Sequence, residues 1–364
     1  MIKIDLITGF LGSGKTTFIK TYAEHLAGQG LKVCILENDY GAINVDMLIL
    51  REELRDKCDL EMVVGGGDPD CHRRRTKTKL IEMGMLGYDR VIVEPSGIFD
   101  TDEFFDLLYE EPLDQWYEKG SVISIVDAKL PERLSGASEY LLMSEAANAG
   151  LILPSRVQET PDFRADRLVT RLNEAMKKYE CGRVFTAADV LAKDWKELTD
   201  ADFDRIENCG FRQADHVKLH VDQDGSYENL FYFHVHFTED ALIGKVKELF
   251  SEPEKYGNVI RVKGFIPVKA DEGGEEKAAD RPGESDRNEV RSGTSLSPEE
   301  KTKGEKAGAE SSTGFLEINA NRDGIRTDTV PVGQEVIIVI GEKLNSRAVG
   351  GLFGETRSVT DYDA

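Results

Sequence analysis

Near the N-terminus the chain reads Thr8-Gly9-Phe10-Leu11-Gly12-Ser13-Gly14-Lys15-Thr16-Thr17. The spacing is a glycine, four residues, then Gly-Lys-Thr. Glycines let the main chain turn its N–H groups inward around phosphate oxygens. A helix starting directly after the loop adds the favourable field of its N-terminus. Lys15 is then expected to reach the outer phosphates of a nucleoside triphosphate, and the Thr16 hydroxyl to coordinate Mg2+. Gly9, Gly12, Ser13, Gly14 and Thr17 complete the expected cradle.

A triphosphate–magnesium site also needs carboxylates. Glu37-Asn38-Asp39-Tyr40-Gly41 and Glu94-Pro95-Ser96-Gly97 each follow a short apolar run. In a parallel α/β sheet, such strand ends lie beside the phosphate loop. Asp39 and Glu94 are the candidates to hold magnesium through water or to position an attacking water. The Gly97 N–H is the candidate sensor of the γ-phosphate.

The elements that must position these groups follow from the pattern of apolar residues. Residues 2–8, 32–36, 89–93, 122–126 and 151–153 read as strands, with Val184-Phe185 as a last one. Helical stretches alternate with them at 16–27, 48–55, 76–85, 101–110, 137–148 and 163–178. This predicts an α/β P-loop NTPase domain with a mostly parallel sheet covered on both faces, over residues 1–186. Residues 187–213 are polar and acidic and read as a connecting segment. Strand-like runs at 216–221, 230–237, 259–268, 314–319 and 335–340, with a helix at 241–249, predict a smaller α+β domain over 214–345. Residues 271–312 are rich in Gly, Glu, Lys, Ser and Pro, so this stretch is expected to be a disordered insertion. Residues 346–364 read as a polar tail, in which Val349 and Phe353 are candidates to tuck against the fold.

The 364 residues carry a formal charge of -22, which opposes binding to nucleic acid or to an anionic membrane. The run Arg73-Arg74-Arg75-Thr76-Lys77 is a local exception, either a solvated helix start or an anion contact. No stretch approaches a membrane span and the N-terminus lacks a signal-peptide layout, so a cytoplasmic protein is expected. Five scattered cysteines imply no disulfide framework, and Cys34 is expected to be buried.

The nucleotide loop, Asn38-Asp39-Tyr40-Gly41 with the following Asp46, and Glu94-Pro95-Ser96-Gly97 resemble the CobW-like branch of the CobW/HypB/UreG family of SIMIBI-class P-loop GTPases. Arg261-Val262-Lys263-Gly264 resembles that branch's C-terminal strand motif. The resemblance implies GTP with Mg2+, and GTP hydrolysis coupled to delivery of a metal or metal cofactor to a client metalloprotein or cofactor-dependent protein; no residue stands out as a strong general base, so turnover is expected to be slow. A homodimer is compatible with it. The branch carries a Cys-x-Cys-Cys metal motif where this chain has Gly66-Gly67-Asp68-Pro69-Asp70-Cys71-His72. Asp68 and Asp70 replace two thiolates, which disfavours tight zinc. A mixed site for Zn2+ or Co2+ from two or three of Asp68, Asp70, Cys71 and His72 stands against an Asp-Pro-Asp turn capping a helix near Arg73.

The guanine-reading Asn-Lys-x-Asp element of such relatives falls on Ser155-Arg156-Val157-Gln158. Arg156 can stack as the lysine does, but neutral Gln158 cannot supply a charged bidentate acceptor. GTP is expected from the resemblance, with Glu159 as a substitute acceptor, and ATP or weak discrimination is the alternative. His234 and His236, about 7 Å apart on one strand face, and the pair His216 and His220 read either as the wet face of a sheet or as chelating pairs. His25 is expected to be structural or exposed. Besides a metal-delivering GTPase, two readings stay open: a nucleotide-sensing scaffold with little hydrolysis, and a P-loop small-molecule kinase or ATPase.

Overall fold

The computed structural model describes residues 1–39, 50, 53–54, 56–64, 69–95, 101–214, 228–268, 314–331 and 333–354. The first lobe is built on six strands, β1 (Ile2–Gly9), β2 (Val33–Asp39), β3 (Asp59–Val64), β4 (Arg90–Pro95), β5 (Tyr117–Asp127) and β6 (Leu151–Ser155), in the spatial order β3-β2-β4-β1-β5-β6. Every pairing is parallel. The central position of β1 puts the glycine loop at the middle of the sheet's carboxyl edge.

Helices α1 (Lys15–Gly28), α2 (Pro69–Leu86), α3 (Thr101–Leu107), α4 (Leu113–Trp116), α5 (Gly136–Ala147), α6 (Ala165–Lys178) and α7 (Asp200–Glu207) cover both faces. The alternation along β1 shows the layering. Ile2, Ile4 and Leu6 enter a core shared with α2, α5 and α6, whereas Ile7 enters the core beneath α1 and α7. Strands buried on both faces read as near-continuous apolar runs, as Val91-Ile92-Val93 of β4 does.

Asp5 interrupts the apolar pattern of β1 and is fully buried. Its carboxylate accepts from Tyr22 Oη at 2.9 Å, Arg90 Nε at 2.6 Å, Arg90 Nη2 at 3.2 Å and the Ser121 N–H at 2.7 Å. Arg90 also donates to the Glu207 carbonyl at 2.9 Å, which ties α7 to the sheet. A Cβ on Gly120 would stand 2.1 Å from Asp5 Oδ1, so only glycine leaves room for the carboxylate there.

Several expectations change here. Asp59–Val64 is an edge strand that the sequence did not announce, because Asp59 and Glu61 interrupt its apolar pattern. Val184-Phe185 is not a strand; Val184 is exposed and Phe185 packs into the core. The segment expected as a connection is packed against the first lobe, with Phe203 and Ile206 of α7 buried under the sheet.

The second lobe contains β7 (Glu228–Phe233), α8 (Glu239–Ser251), α9 (Pro253–Tyr256), β8 (Asn258–Pro267), β9 (Phe315–Asn321), β10 (Gly324–Val330), β11 (Val336–Glu342) and α10 (Ser346–Phe353). Its sheet runs β10-β9-β8-β11-β7, antiparallel throughout. One face packs on the helices through Val262, Ile318, Ile337 and Val339. Part of the expected polar tail is therefore core: Val349 and Phe353 of α10 are buried there. The opposite face carries Phe231, Phe265, Val336, Ile338 and Ile340. The expected insertion 271–312 and strand 216–221 lie outside the described residues.

Replacing Asp5 by alanine leaves Arg90 buried without its main counter-charge. Such a loss costs about 3–5 kcal/mol. Both tryptophans, Trp116 and Trp195, lie in the first lobe, so urea unfolding followed by tryptophan fluorescence should show the Asp5→Ala midpoint well below that of the native chain.

Candidate functional site

The loop between β1 and α1 is shaped by three glycines in the positive-φ region, Gly9 at 141°, Gly12 at 74° and Gly14 at 101°. A Cβ at Gly9 would stand 2.3 Å from the Ile125 carbonyl oxygen, so close approach as well as φ requires glycine. Gly14 is the left-handed residue before α1, and its carbonyl opens the helix by accepting from the Phe18 N–H at 3.1 Å. The buried Ser13 Oγ has no hydrogen-bond partner among the described residues. The loop thus offers a glycine-shaped concavity, a helix N-terminus and an unpartnered buried hydroxyl, the parts an anion site needs.

Three predicted side chains converge at its mouth. Thr16 Oγ1 donates to Glu94 Oε2 at 3.3 Å, and Lys15 Nζ lies 3.9 Å from Glu94 Oε1. Lys15 Nζ also donates to the Gly9 carbonyl at 3.0 Å, folding back along its own loop. Glu94 reaches this point because β4 is adjacent to β1 and ends level with it. Asp39 closes β2, but its side chain is outside the described residues, as is all of Gly97.

The loop is anchored from beneath by α5. The Gly9 N–H donates to Glu145 Oε2 at 3.1 Å, and Thr8 Oγ1 donates to the Glu145 carbonyl at 2.6 Å. Burial pushes the Glu145 carboxyl up to about 7, against the opposing pull of Lys15 and the Gly9 hydrogen bond. The other end of α5 is held by the second lobe. Ser138 Oγ donates to Glu342 Oε1 at 2.7 Å, Ser135 donates to the same oxygen, and Asn258 Nδ2 donates to Glu342 Oε2 at 2.8 Å. One helix therefore connects a carboxylate of β11 to the first residue of the phosphate loop.

The second lobe also touches the loop directly. Leu11 packs against the apolar patch around Phe231 and Phe265. Beside this contact lies a cleft of ≈ 710 Å³ lined from the first lobe by Gly12, Lys15, Thr16 and Glu94 and from the second by Arg261, Glu317, Asn319 and Arg326. The predicted site thus becomes a two-lobed pocket.

At its far end Arg156 adopts φ 56° and donates from Nη2 to the Gly12 carbonyl at 3.1 Å, while Nη1 pairs with Asp127. This contact braces the loop, a role the sequence reading, which had Arg156 stacking on a base, did not foresee. Gln158 is exposed and does not line the cleft; Glu159 does, held by Lys129 at 2.7 Å. Trp195 and Ser155 were not legible as neighbours of the loop. The Trp195 ring lies 3.4 Å, and the Ser155 Cβ 3.6 Å, from where a Gly14 Cβ would stand. Only Ser155, adjoining Arg156, carried a local signal.

In the expected metal segment, α2 begins at Pro69 and so includes Asp70, Cys71 and His72 rather than starting near Arg73. Asp68 and the Asp70 side chain are outside the described residues. Cys71 is half-buried and His72 buried. Consecutive helical positions do not face each other, so the helix does not bring Cys71 and His72 together as one chelating pair. Among the described residues no group of three or more His, Cys, Asp or Glu side chains is gathered for a metal ion. In the basic run, Arg73 and Lys77 both hold Glu110 at 2.6 Å, which is the structural alternative.

The histidine pairs fare no better. β7 ends at Phe233, His234 is 84% exposed beside Glu335, and His236 is exposed after the strand, so neither stands on a strand face. His216 and His220 are outside the described residues. His25 is structural, stacked on Phe203 at 3.8 Å.

Residues 3–183 match the family described as CobW/HypB/UreG, nucleotide-binding domain. The chain is 28% identical over 164 residues to the zinc chaperone YeiR of Escherichia coli (strain K12), covering 44% of this chain and 48% of that protein. It is 28% identical over 137 residues to the zinc chaperone YjiA of the same organism, covering 35% and 41%. The chain spans about half the length of the curated relatives it matches. The crystal structure of the Zn(II)-bound YjiA GTPase from E. coli aligns over 98% of this chain and 99% of its own at 15% identity, with a TM-score of 0.33.

The buried carboxyl of Glu145 gives the loop a pH signature. Between the ordinary carboxyl value of 4.5 and about 7, the folded protein keeps a proton that the unfolded chain has released. Its contribution to stability therefore declines as pH rises through that window and is level above it. Glu145→Gln keeps an acceptor for the Gly9 N–H and removes the titration. Melting temperatures at pH 5 to 8 should show native and variant chains converging or crossing; a gap constant with pH would reject this.

Proposed function

Because residues 3–183 belong to the CobW/HypB/UreG family of nucleotide-binding domains, we propose that this chain is a Mg2+-dependent GTP-binding protein that hydrolyses GTP slowly. In this reading hydrolysis is coupled to delivery of a metal ion, or a metal-containing cofactor, into a client protein. The observation that carries it is the convergence of Lys15, Thr16 and Glu94 at a loop bent by three positive-φ glycines.

The residues present fit magnesium. Thr16 and Glu94 offer hard oxygens, the donor type that ion prefers, and they already touch. Mg2+, when bound, supplies charge neutralisation for the phosphate oxygens. The chain's own residues do the rest. Lys15 exchanges the Gly9 carbonyl for the outer phosphates. The N–H groups from Gly12 to Thr17 hold the remaining oxygens. Asp39 and Glu94 act as metal-side or water-positioning carboxylates, and the Gly97 N–H senses the γ-phosphate. Among the described residues no strong general base stands at the site, so positioning and charge neutralisation carry the catalysis, and intrinsic turnover is slow.

On the base side, Arg156 braces the loop and Glu159, not Gln158, is the acceptor within the cleft. Guanine preference is then weak. Zn2+ is the favoured cargo, since the matched relatives are named zinc chaperones; Co2+ is the second. Cys71 is the thiolate retained for it, alongside Asp68 and Asp70. The client is a metalloprotein or cofactor-dependent protein, and a homodimer accommodates the same reading. Among the described residues no helix is long and apolar enough to cross a membrane, and the reading places the protein in the cytoplasm.

Phosphate release from GTP should require Mg2+ and fall at least about 100-fold in Lys15→Ala, the size of effect expected when one key phosphate-side donor is lost. No nucleotide binding by the native chain would overturn the proposal. Calorimetry should find GTP bound more tightly than ATP by only about tenfold, since no charged residue occupies position 158. Zn2+ bound by the native chain and lost in Cys71→Ala would support the cargo; equal binding by both would remove Cys71 from it.

A further inference from the structure

Arg261 is not part of the nucleotide-binding domain, yet it stands at the phosphate loop. β8 alternates along its length. Val262 and Ile266 enter the helical core of the second lobe, whereas Arg261 and Phe265 line the cleft facing the first. Phe265 belongs to the patch on which Leu11 is packed. The apolar contact thus docks β8 against the loop, and Arg261, two strand repeats along the same face, reaches Gly12. Its Cδ lies 3.9 Å from where a Gly12 Cβ would stand. Its Nε donates to Asn319 Oδ1 at 3.3 Å, which orients the guanidinium.

Lys15, Arg156, Arg261 and Arg326 line one cleft, interleaved with Glu94, Glu159, Glu317 and Asp323. Arg156 is held below its ordinary range by burial, with Arg326 and Arg261 adding to the effect while Asp323 and Glu159 oppose it.

We propose that Arg261 is a nucleotide-contacting residue supplied in cis by the second lobe, approaching the phosphates from the Gly12 side of the loop. It rests on the nucleotide reading above and adds a specific contact to it. An arginine delivered to a phosphoryl-transfer site neutralises charge that develops on the phosphates. Its planar fork makes a lysine an inferior substitute. Because β8 is paired with both β9 and β11, the same contact transmits the presence of the γ-phosphate to the whole second sheet.

The test uses the full chain with Mg2+ and GTP, comparing native protein, Arg261→Ala and Arg261→Gln; the glutamine keeps a donor for Asn319. Both variants should lower kcat for GTP at least tenfold and shrink the GTP-induced rise in melting temperature, while the nucleotide-free Arg261→Gln chain melts with the native one. Arg261→Gln with native kcat, KM and GTP-induced shift would overturn the proposal. So would a loss of activity matched by an equal loss of nucleotide-free stability, since that marks a docking role alone. Lys15→Ala separates the two levels: if native chain binds GTP and Lys15→Ala does not, the nucleotide reading stands whatever Arg261 does.

Discussion

The phosphate loop must keep several main-chain N–H groups directed at a ligand while the rest of its backbone is held still. The one N–H at its start, that of Gly9, is given to a buried carboxyl group, Glu145. An acceptor there fixes where β1 ends and the loop begins. Glu145 can occupy that place only because α5 packs across the sheet. Its burial in turn keeps the carboxyl titrating near neutrality rather than adding a full negative charge under an anion site. The rest of the loop follows from backbone sterics, with glycine wherever φ is positive or β5 comes within contact distance.

α5 also gives the fold a route between its two lobes. Its N-terminal serines are held by Glu342 of β11, and its C-terminal turn holds the loop. Leu11 and Arg261 make a second connection from the opposite side. A rigid helix and a docked sheet bracket the loop, so a change in the loop has two mechanical outlets into the second lobe. Switching in nucleotide-driven proteins works through such elements, where phosphate contacts order one arrangement and hydrolysis releases it.

Charge is arranged with the same economy. A chain at -22 would repel a triphosphate at long range, yet where the lobes meet cations and carboxylates line the cleft in equal measure. Asp127 and Glu159 hold Arg156 and Lys129 in place there. In the first lobe's interior the Asp5–Arg90 pair binds β1, β4, β5 and α7 together through hydrogen bonds as well as charge. Its burial makes it a constraint on how these elements assemble.

By itself the sequence determined the parallel sheet, the loop, and the meeting of Lys15, Thr16 and Glu94 beside it. These signals are local: apolar runs of strand length, glycines at fixed offsets, and acidic residues at strand ends. The edge strand at 59–64 and strand β10 were less legible, because an edge tolerates polar residues on its solvent side. The segment expected as a linker proved to contain a core helix, since Phe203 and Ile206 are too sparse in polar surroundings to announce themselves, whereas Val349 and Phe353 stood out in the tail as candidates to tuck in and do so. Only the tertiary structure decided that Glu145 anchors Gly9, that Glu342 clamps α5, and that Arg261 stands over Gly12. Each of these joins positions more than a hundred residues apart. Such contacts depend on which element crosses which, and no periodicity or spacing along the chain records that.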